Sequence, residues 1–446
     1  MLKKEAAKTW KLSIPIIFGE ITQISLGLID SAMVGSINYK LLAASALVNS
    51  VMNIPFVIGI GFTMSISQKV AQAHGSYDAK RVSHFLYNGF WLCLISAVLI
   101  SMGLELSKDI LFNLNQDEEV AHLAVPFWRI MGISVIPSLL FMGLKQFADG
   151  LEKTKTAMLL SFLALPLNVF LNWLLIFGNW GFPRMELEGA GLGTLITRVL
   201  ILIAMIAVLF YHKTFKRYIA VRKNQWKVKR KTMKELLGIA VPSGLQAGME
   251  TGVFAVSGIL VGTIGAVEQA AHQIALQCAS FTFMVSLGLA QGNAIRIGNA
   301  FGRKDWPSIE RIGKSTLVSG LIYGVICALF FAVFRNQLAL IFNNEINVVL
   351  LAGTLMFYAA IFQISDASQA IAVGSLRGMN DVRYPTIIMI IAYWLIALPI
   401  GWVLAFKANM GAAGIWIGLV IGLTIVSVIL NRRFFKIVNS KSINHD

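Results

Sequence analysis

Apolar stretches of roughly twenty residues or more follow one another along this chain with only short polar interruptions. At the rise of an α-helix, each is long enough to cross a hydrocarbon layer about 30 Å thick. Twelve helices are predicted, near residues 11–35, 43–70, 84–107, 120–147, 156–178, 189–211, 235–262, 270–298, 308–334, 345–375, 385–406 and 411–435. The pattern predicts an all-α membrane protein.

A second pattern lies on the first. Pro15 recurs as Pro242, Gly35 as Gly262, Ala43-Ala44 as Ala270-Ala271, Gly61 as Gly288, Gly75 as Gly302 and Asp78 as Asp305, all at one offset of 227 residues. Glycine and proline fix backbone geometry, so their recurrence in register indicates a duplicated helical bundle. Beyond the third helix the match drifts slightly, pairing Gly150 with Gly378 and Trp173 with Trp402. The expected organisation is a six-helix lobe over 1–211, a basic linker over 212–234 and a second six-helix lobe over 235–446. Six is even, so both halves enter from the same side and form parallel, pseudo-symmetric repeats. Duplicated bundles of this kind are characteristic of secondary transporters.

Composition agrees with a membrane setting. The chain is 57% hydrophobic and only 13% charged, with a mean hydropathy of +0.71, whereas a soluble domain carries about 25% charged residues. The net charge of +16 invites a nucleic-acid reading, but the charges lie in alternate loops. Residues 213–234 hold ten Lys or Arg, and Lys80-Arg81, Lys153, Lys155, Arg303-Lys304, Arg311, Arg383 and Arg432-Arg433 fall on the same expected face. The opposite loops carry Asp117-Glu118-Glu119 and Glu186 with Glu188. Basic residues favour the cytoplasmic side, which places both termini and the linker inside and makes anionic membrane lipid, not nucleic acid, the partner of this charge. The basic start runs into a full-length span with Glu20 and Asp30 and no small-residue cleavage site, so no cleavable leader is expected. Cys93, Cys278 and Cys327 fall inside spans without paired spacing and read as packing residues.

Ionisable groups deep in a bilayer cost at least about 2.5–3.5 kcal/mol on insertion scales, so they usually face a cavity, a partner or an ion path. Glu20 and Asp30 in the first helix, Glu250 in the seventh and Asp366 in the tenth are such groups. No Lys or Arg occupies the middle of the seventh or tenth helix. A mobile cation, Na⁺ or H⁺, is therefore the expected counter-charge of Glu250 and Asp366. Gln246 precedes Glu250 by one turn, and Phe362 and Gln363 precede Asp366 by one turn, adding amide and π-face lining. The repeat pairs Glu250 with Gln23 and Asp30 with Ser257, so the acids are not shared by the two halves. Asn168 and Asn172, one turn apart after Pro166, can join Asp30 in a proton or substrate site, or act simply as interhelical glue. Glu20 is a candidate cavity-lining group that could instead snorkel to the cytoplasmic interface. His272 reads as an interfacial packing histidine, and no His or Cys cluster has metal-ligand spacing.

These residues, taken in order, resemble the multidrug and toxic compound extrusion family, in its NorM-like bacterial branch. The resemblance rests on Gly27-Leu28-Ile29-Asp30 through Val34-Gly35, Pro166-Leu167-Asn168 through Asn172-Trp173, Glu250 through Phe254-Ala255, Ala271-His272-Gln273, and Asp366 followed by Gly374-Ser375-Leu376-Arg377-Gly378. It implies twelve helices in two lobes and export of amphipathic organic cations in exchange for Na⁺ or H⁺, with no other cofactor. It further implies that Glu250 and Asp366 are the cation-linked acids, and that Asp30, Asn168 and Asn172 form the polar cluster of the N-terminal lobe. One departure is Phe362, where the family pattern often has Tyr, which removes a hydroxyl and leaves H⁺ coupling open beside Na⁺. The expectation is a monomeric antiporter of the bacterial plasma membrane working by alternating access. A lipid-linked oligosaccharide flippase should instead present a wide cationic cavity for pyrophosphate. A membrane-embedded enzyme should show a catalytic cluster or a sizeable loop domain, and a structural scaffold would leave the buried acids without purpose.

Overall fold

The computed structural model describes residues 2–113, 117–219 and 226–442. Among the described residues twelve helices are long and apolar enough to span a membrane: α1 (Leu2–Gly35), α2 (Tyr39–Gly75), α3 (Ala79–Leu106), α4 (Glu118–Gly150), α5 (Thr154–Phe177), α6 (Glu186–Tyr211), α7 (Arg230–Gly262), α8 (Ala266–Gly302), α9 (Trp306–Phe342), α10 (Ile346–Gly378), α11 (Arg383–Lys407) and α12 (Ala412–Lys441). A short helix, Lys213–Ile219, lies in the basic linker. Among the described residues there is no strand.

Helix ends follow from capping, and capping explains part of the repeat. Gly75 closes α2, Tyr77 takes a left-handed φ of 59°, and Asp78 caps α3 by accepting from Arg81 N at 2.9 Å. At the same offset Gly302 closes α8, Lys304 has φ 61°, and Asp305 caps α9 by accepting from Ser308 N at 3.0 Å. The repeated aspartates are thus N-caps, each satisfying an orphan amide that would otherwise lie bare at the start of a long helix.

The chain divides into two compact units, Phe18–Gly244 and Met1–Ile17 with Leu245–Asp446. This differs from the expected lobes of 1–211 and 235–446. The first seventeen residues group with the C-terminal helices, and the linker with the first turns of α7 groups with the N-terminal ones. The paired glycines give the physical reason. In the N-terminal unit, a Cβ on Gly61 would lie 2.6 Å from Gly244 Cα; in the C-terminal unit, a Cβ on Gly288 would lie 2.5 Å from Ile17 Cγ1 and 3.0 Å from its backbone nitrogen. Both glycines, and both partners, are 227 residues apart, so each small residue opens a groove for the leading segment that crosses it. The start of α1, nine residues earlier than its apolar pattern suggests, is tied down by Arg296, which donates to Glu5 O at 2.8 Å and Thr9 Oγ1 at 2.6 Å and pairs with the Glu5 carboxylate.

Within the N-terminal unit α4 packs against α2, α3 and α6, and α5 packs on α6. Within the C-terminal unit α10 takes the matching central place, against α8, α9 and α12. A Cβ on Gly150 of α4 would meet Ser67 O at 2.8 Å, and one on Gly378 of α10 would meet Ala294 O at 2.8 Å, repeating one backbone contact in both units. α11 departs from regular geometry, with π-helical turns at Ile391–Ala397 and Val403–Lys407 on either side of Pro399, and such bulges often mark functional positions. The three cysteines are buried and free.

Candidate functional site

In the N-terminal unit, α1 presents Asp30 to two polar pairs one turn apart, Asn168 and Asn172 on α5 and Thr194 and Arg198 on α6. Asn172 Nδ2 donates to Asp30 Oδ1 at 2.5 Å, and Thr194 Oγ1 donates to Oδ2 at 2.8 Å. Asn172 also donates to Asn168 Oδ1, and Asn168 Nδ2 to Thr194 Oγ1, each at 3.3 Å. Asp30, Asn172, Asn168 and Thr194 close a ring of hydrogen bonds in which each side chain makes at least one bond, while Asn172 Oδ1 accepts none. Gly193 permits it: a Cβ there would be 2.3 Å from Asn172 Oδ1. Arg198 donates to Ser134 Oγ at 2.6 Å, lies 5.6 Å over the Phe56 ring and is within electrostatic reach of Asp30.

In the C-terminal unit, Glu250 Oε1 accepts from Gln369 Nε2 at 3.1 Å, and Gln369 Oε1 in turn accepts from the Tyr393 hydroxyl. Tyr393 stands on the first π-turn of α11, and its neighbour Trp394 donates to Met249 O at 3.2 Å, which fixes α11 beside Glu250. Asp366, one turn before Gln369 on α10, is 3% exposed, and its Oδ2 has no hydrogen-bond partner. The charge that bears on Asp366 is that of Glu250, a second negative group. Among the described residues no three His, Cys, Asp or Glu side chains converge. The donor set of carboxylate and amide oxygens suits a proton or a hard monovalent ion better than a metal that prefers imidazole or thiolate.

Several sequence expectations need correction. Glu20 is not a free lining group: Lys145 of α4 donates to its Oε1 at 2.8 Å, with side-chain exposures of 7% for the lysine and 17% for the glutamate. Glu250 is not without a fixed cation, since Arg377 lies within its electrostatic reach. Phe362 is buried between Phe254 and Trp416, with ring centroids 6.1 and 5.9 Å away, so its faces and edges are taken up in packing. His272 is a packing residue: it is 0% exposed and its Nδ1 accepts from Trp416 Nε1 at 3.2 Å. Gln246 and Gln363 are buried and Gln23 is half-buried, and the amide that reaches Glu250 is Gln369.

Lys145, Asp149, Thr194, Arg198, Gln369 and Tyr393 escaped the sequence reading. The signal for three of them was present: Lys145, Asp149 and Arg198 carry charge inside or at the edge of apolar spans, by the same criterion that singled out the acids. Gln369 and Tyr393 gave none, because amides and phenols are common in spans.

Comparison with known proteins agrees with this architecture. The MatE family model matches residues 15–174 and again 242–403, two segments that begin at the 227-residue offset of the internal repeat. The chain is 34% identical over 441 residues to the probable multidrug resistance protein NorM of Rhizobium meliloti, covering 97% of this chain and 93% of that protein. It is 30% identical over 436 residues to the multidrug resistance protein NorM of Photobacterium profundum, covering 97% and 95%. Among solved structures it resembles a eukaryotic MATE transporter, AtDTX14, with TM-score 0.88 at 19% identity over 99% and 98% of the two chains. It also resembles a MATE protein in a bent conformation, with TM-score 0.89 at 19% identity over 99% and 97%. At that identity the structural likeness speaks for the fold alone. The matched family model and the full-length relatives together show that this chain belongs to the MatE family of multidrug and toxic compound extrusion proteins, membrane transporters rather than enzymes.

Proposed function

We propose that this chain is a secondary antiporter that exports amphipathic organic cations in exchange for Na⁺ or H⁺, with Glu250 and Asp366 as the acids that take the incoming ion. The observation that carries the reading is Asp366: a buried carboxylate with an unpartnered oxygen and a second carboxylate, not a cation, as its charged neighbour. Such a group is stable only when a proton or a mobile cation joins it. The relatives named for multidrug resistance support drug export, the coarser part of this reading. Asp30 with its ring of Asn168, Asn172 and Thr194 forms a second polar site in the other unit, a candidate for proton or substrate binding.

Exchange requires the ion and the drug to compete or to favour different conformations, since a ligand shifts an equilibrium only by its differential affinity. The membrane potential contributes about 2.3 kcal/mol per charge per 100 mV, more than tenfold in an equilibrium constant. Lys145, Arg198 and Arg377 bring positive charge into the spans, yet each faces a carboxylate. The acids Glu250 and Asp366 at the proposed ion site, rather than a cluster of cations for a pyrophosphate-linked lipid, make drug export the better reading. Ethidium efflux from cells expressing the protein tests it. The Glu250→Gln, Asp366→Asn double variant is expected to accumulate the dye like cells lacking the transporter; gradient-dependent efflux at the unaltered rate would exclude the pair from coupling.

A further inference from the structure

Asp149 is a buried acid of the N-terminal unit that the exchange proposed above does not use. It sits in the last turn of α4, is 0% exposed, and neither of its carboxylate oxygens has a hydrogen-bond partner. Two charged groups bear on it: Lys145, one turn earlier on α4, and Glu20 of α1. Lys145 is already engaged, its Nζ bonded to Glu20 at 2.8 Å. With all three side chains charged, the cluster would bury one cation with two anions at a helix C-terminus, where the backbone carbonyls add further negative potential. A carboxylate that accepts no hydrogen bond cannot be kept ionised in such a place without a large desolvation penalty.

The repeat shows that the fold does not require an acid here. The matching position beside Gly378 is Arg377, while the neighbouring glycine and its backbone contact are kept. The occupant is a proton and not a metal ion. A hard cation needs about six oxygen ligands, whereas the Asp149 oxygens have no partner among the described residues and one of the charges that bear on them is an ammonium.

We propose that Asp149 is a second proton-binding site of this transporter, distinct from Asp30, and that Lys145 and Glu20 read out its state. With Asp149 protonated, Lys145 is committed to Glu20 and ties α1 to α4. When Asp149 gives its proton to water, the new carboxylate on the lysine's own helix competes for the ammonium one turn away and loosens the tie to α1. Glu20 lies ten residues before Asp30 on α1, about 15 Å along the helix axis. The two acids would therefore act on different parts of the same helix.

Infrared difference spectra of the purified protein, between mildly acidic and alkaline buffer, test the site directly. The carbonyl-stretch band of a protonated carboxylic acid is expected in the unaltered protein and in Asp30→Asn, with one acid's share of it missing in Asp149→Asn. Lys145→Gln, which removes the competing ammonium, is expected to carry that share to more alkaline buffer. Either an Asp149→Asn spectrum identical to the unaltered one, or displacement by added Na⁺ at fixed pH of the very share that Asp149→Asn removes, would overturn the proposal. The Glu250 and Asp366 reading would stand in either case, because the measurement follows a different carboxyl group. In transport, Asp149→Asn is expected to flatten the pH dependence of drug efflux.

Discussion

At the scale of single residues, what matters is how each buried acid is neutralised. Glu20 has Lys145, Asp30 has a ring of donors with Arg198 in reach, Glu250 has Gln369 and the field of Arg377, and Asp366 has none of these. Breaking a buried pair by removing one partner costs about 3–5 kcal/mol, while replacing both by apolar groups is often neutral. Lys145→Met alone should therefore lower thermal stability in detergent by about that amount, and Lys145→Met with Glu20→Leu should recover most of it. If the single and double variants unfold together with the unaltered protein, the pair is not the buried contact the 2.8 Å bond indicates. The acids themselves were legible from sequence because charge is rare in apolar spans. Their partners were not, because a cation two or more helices away in sequence has no fixed spacing to its acid.

At the scale of helices, the duplicated glycines are packing devices. Gly61 and Gly288 each admit a crossing segment closer than any side chain permits. Overpacking a tight contact costs about 1–3 kcal/mol. Gly61→Val and Gly288→Val are accordingly each expected to reduce the folded yield and melting temperature. Gly27→Ala and Gly103→Ala, where an added Cβ meets nothing within 4 Å, should be neutral or stabilising by about 0.5–1 kcal/mol. Size-exclusion profiles and thermal melts of the four variants separate the two classes; equal behaviour would remove the packing explanation. The boundaries of α1 show where a hydropathy pattern stops being informative. Its first turns are polar, and Arg296, far away in sequence, makes them helical by bonding Glu5 and Thr9.

At the scale of the whole molecule, the proposed exchange predicts a direction and a driver. In everted vesicles, uptake of a lipophilic cation dye is expected under an imposed Na⁺ or H⁺ gradient and not in the absence of both. Imposing the two gradients separately identifies the coupling ion. The same vesicles should expose the basic loop of residues 226–229 to a membrane-impermeant label, as the positive-inside rule requires. Labelling of that loop only from the opposite side would reverse the proposed topology.

The sequence by itself determined the number of spans, their duplication at one offset, and the short list of acids too costly to be accidental. Each of these is written in linear features: run length, recurrence of Gly and Pro, and charge within apolar runs. Only the tertiary structure decided that Met1–Ile17 belongs with the C-terminal helices. It alone paired Glu20 with Lys145, built Asn168, Asn172 and Thr194 into one ring around Asp30, and left Asp149 and Asp366 with unpartnered oxygens. The physical reason is that a helix in lipid is apolar on the face toward its neighbours and on the face toward the bilayer alike. Periodicity therefore does not report which way a side chain turns, and the partner of a buried charge is set by helix rotation and depth, which arise only when the bundle packs.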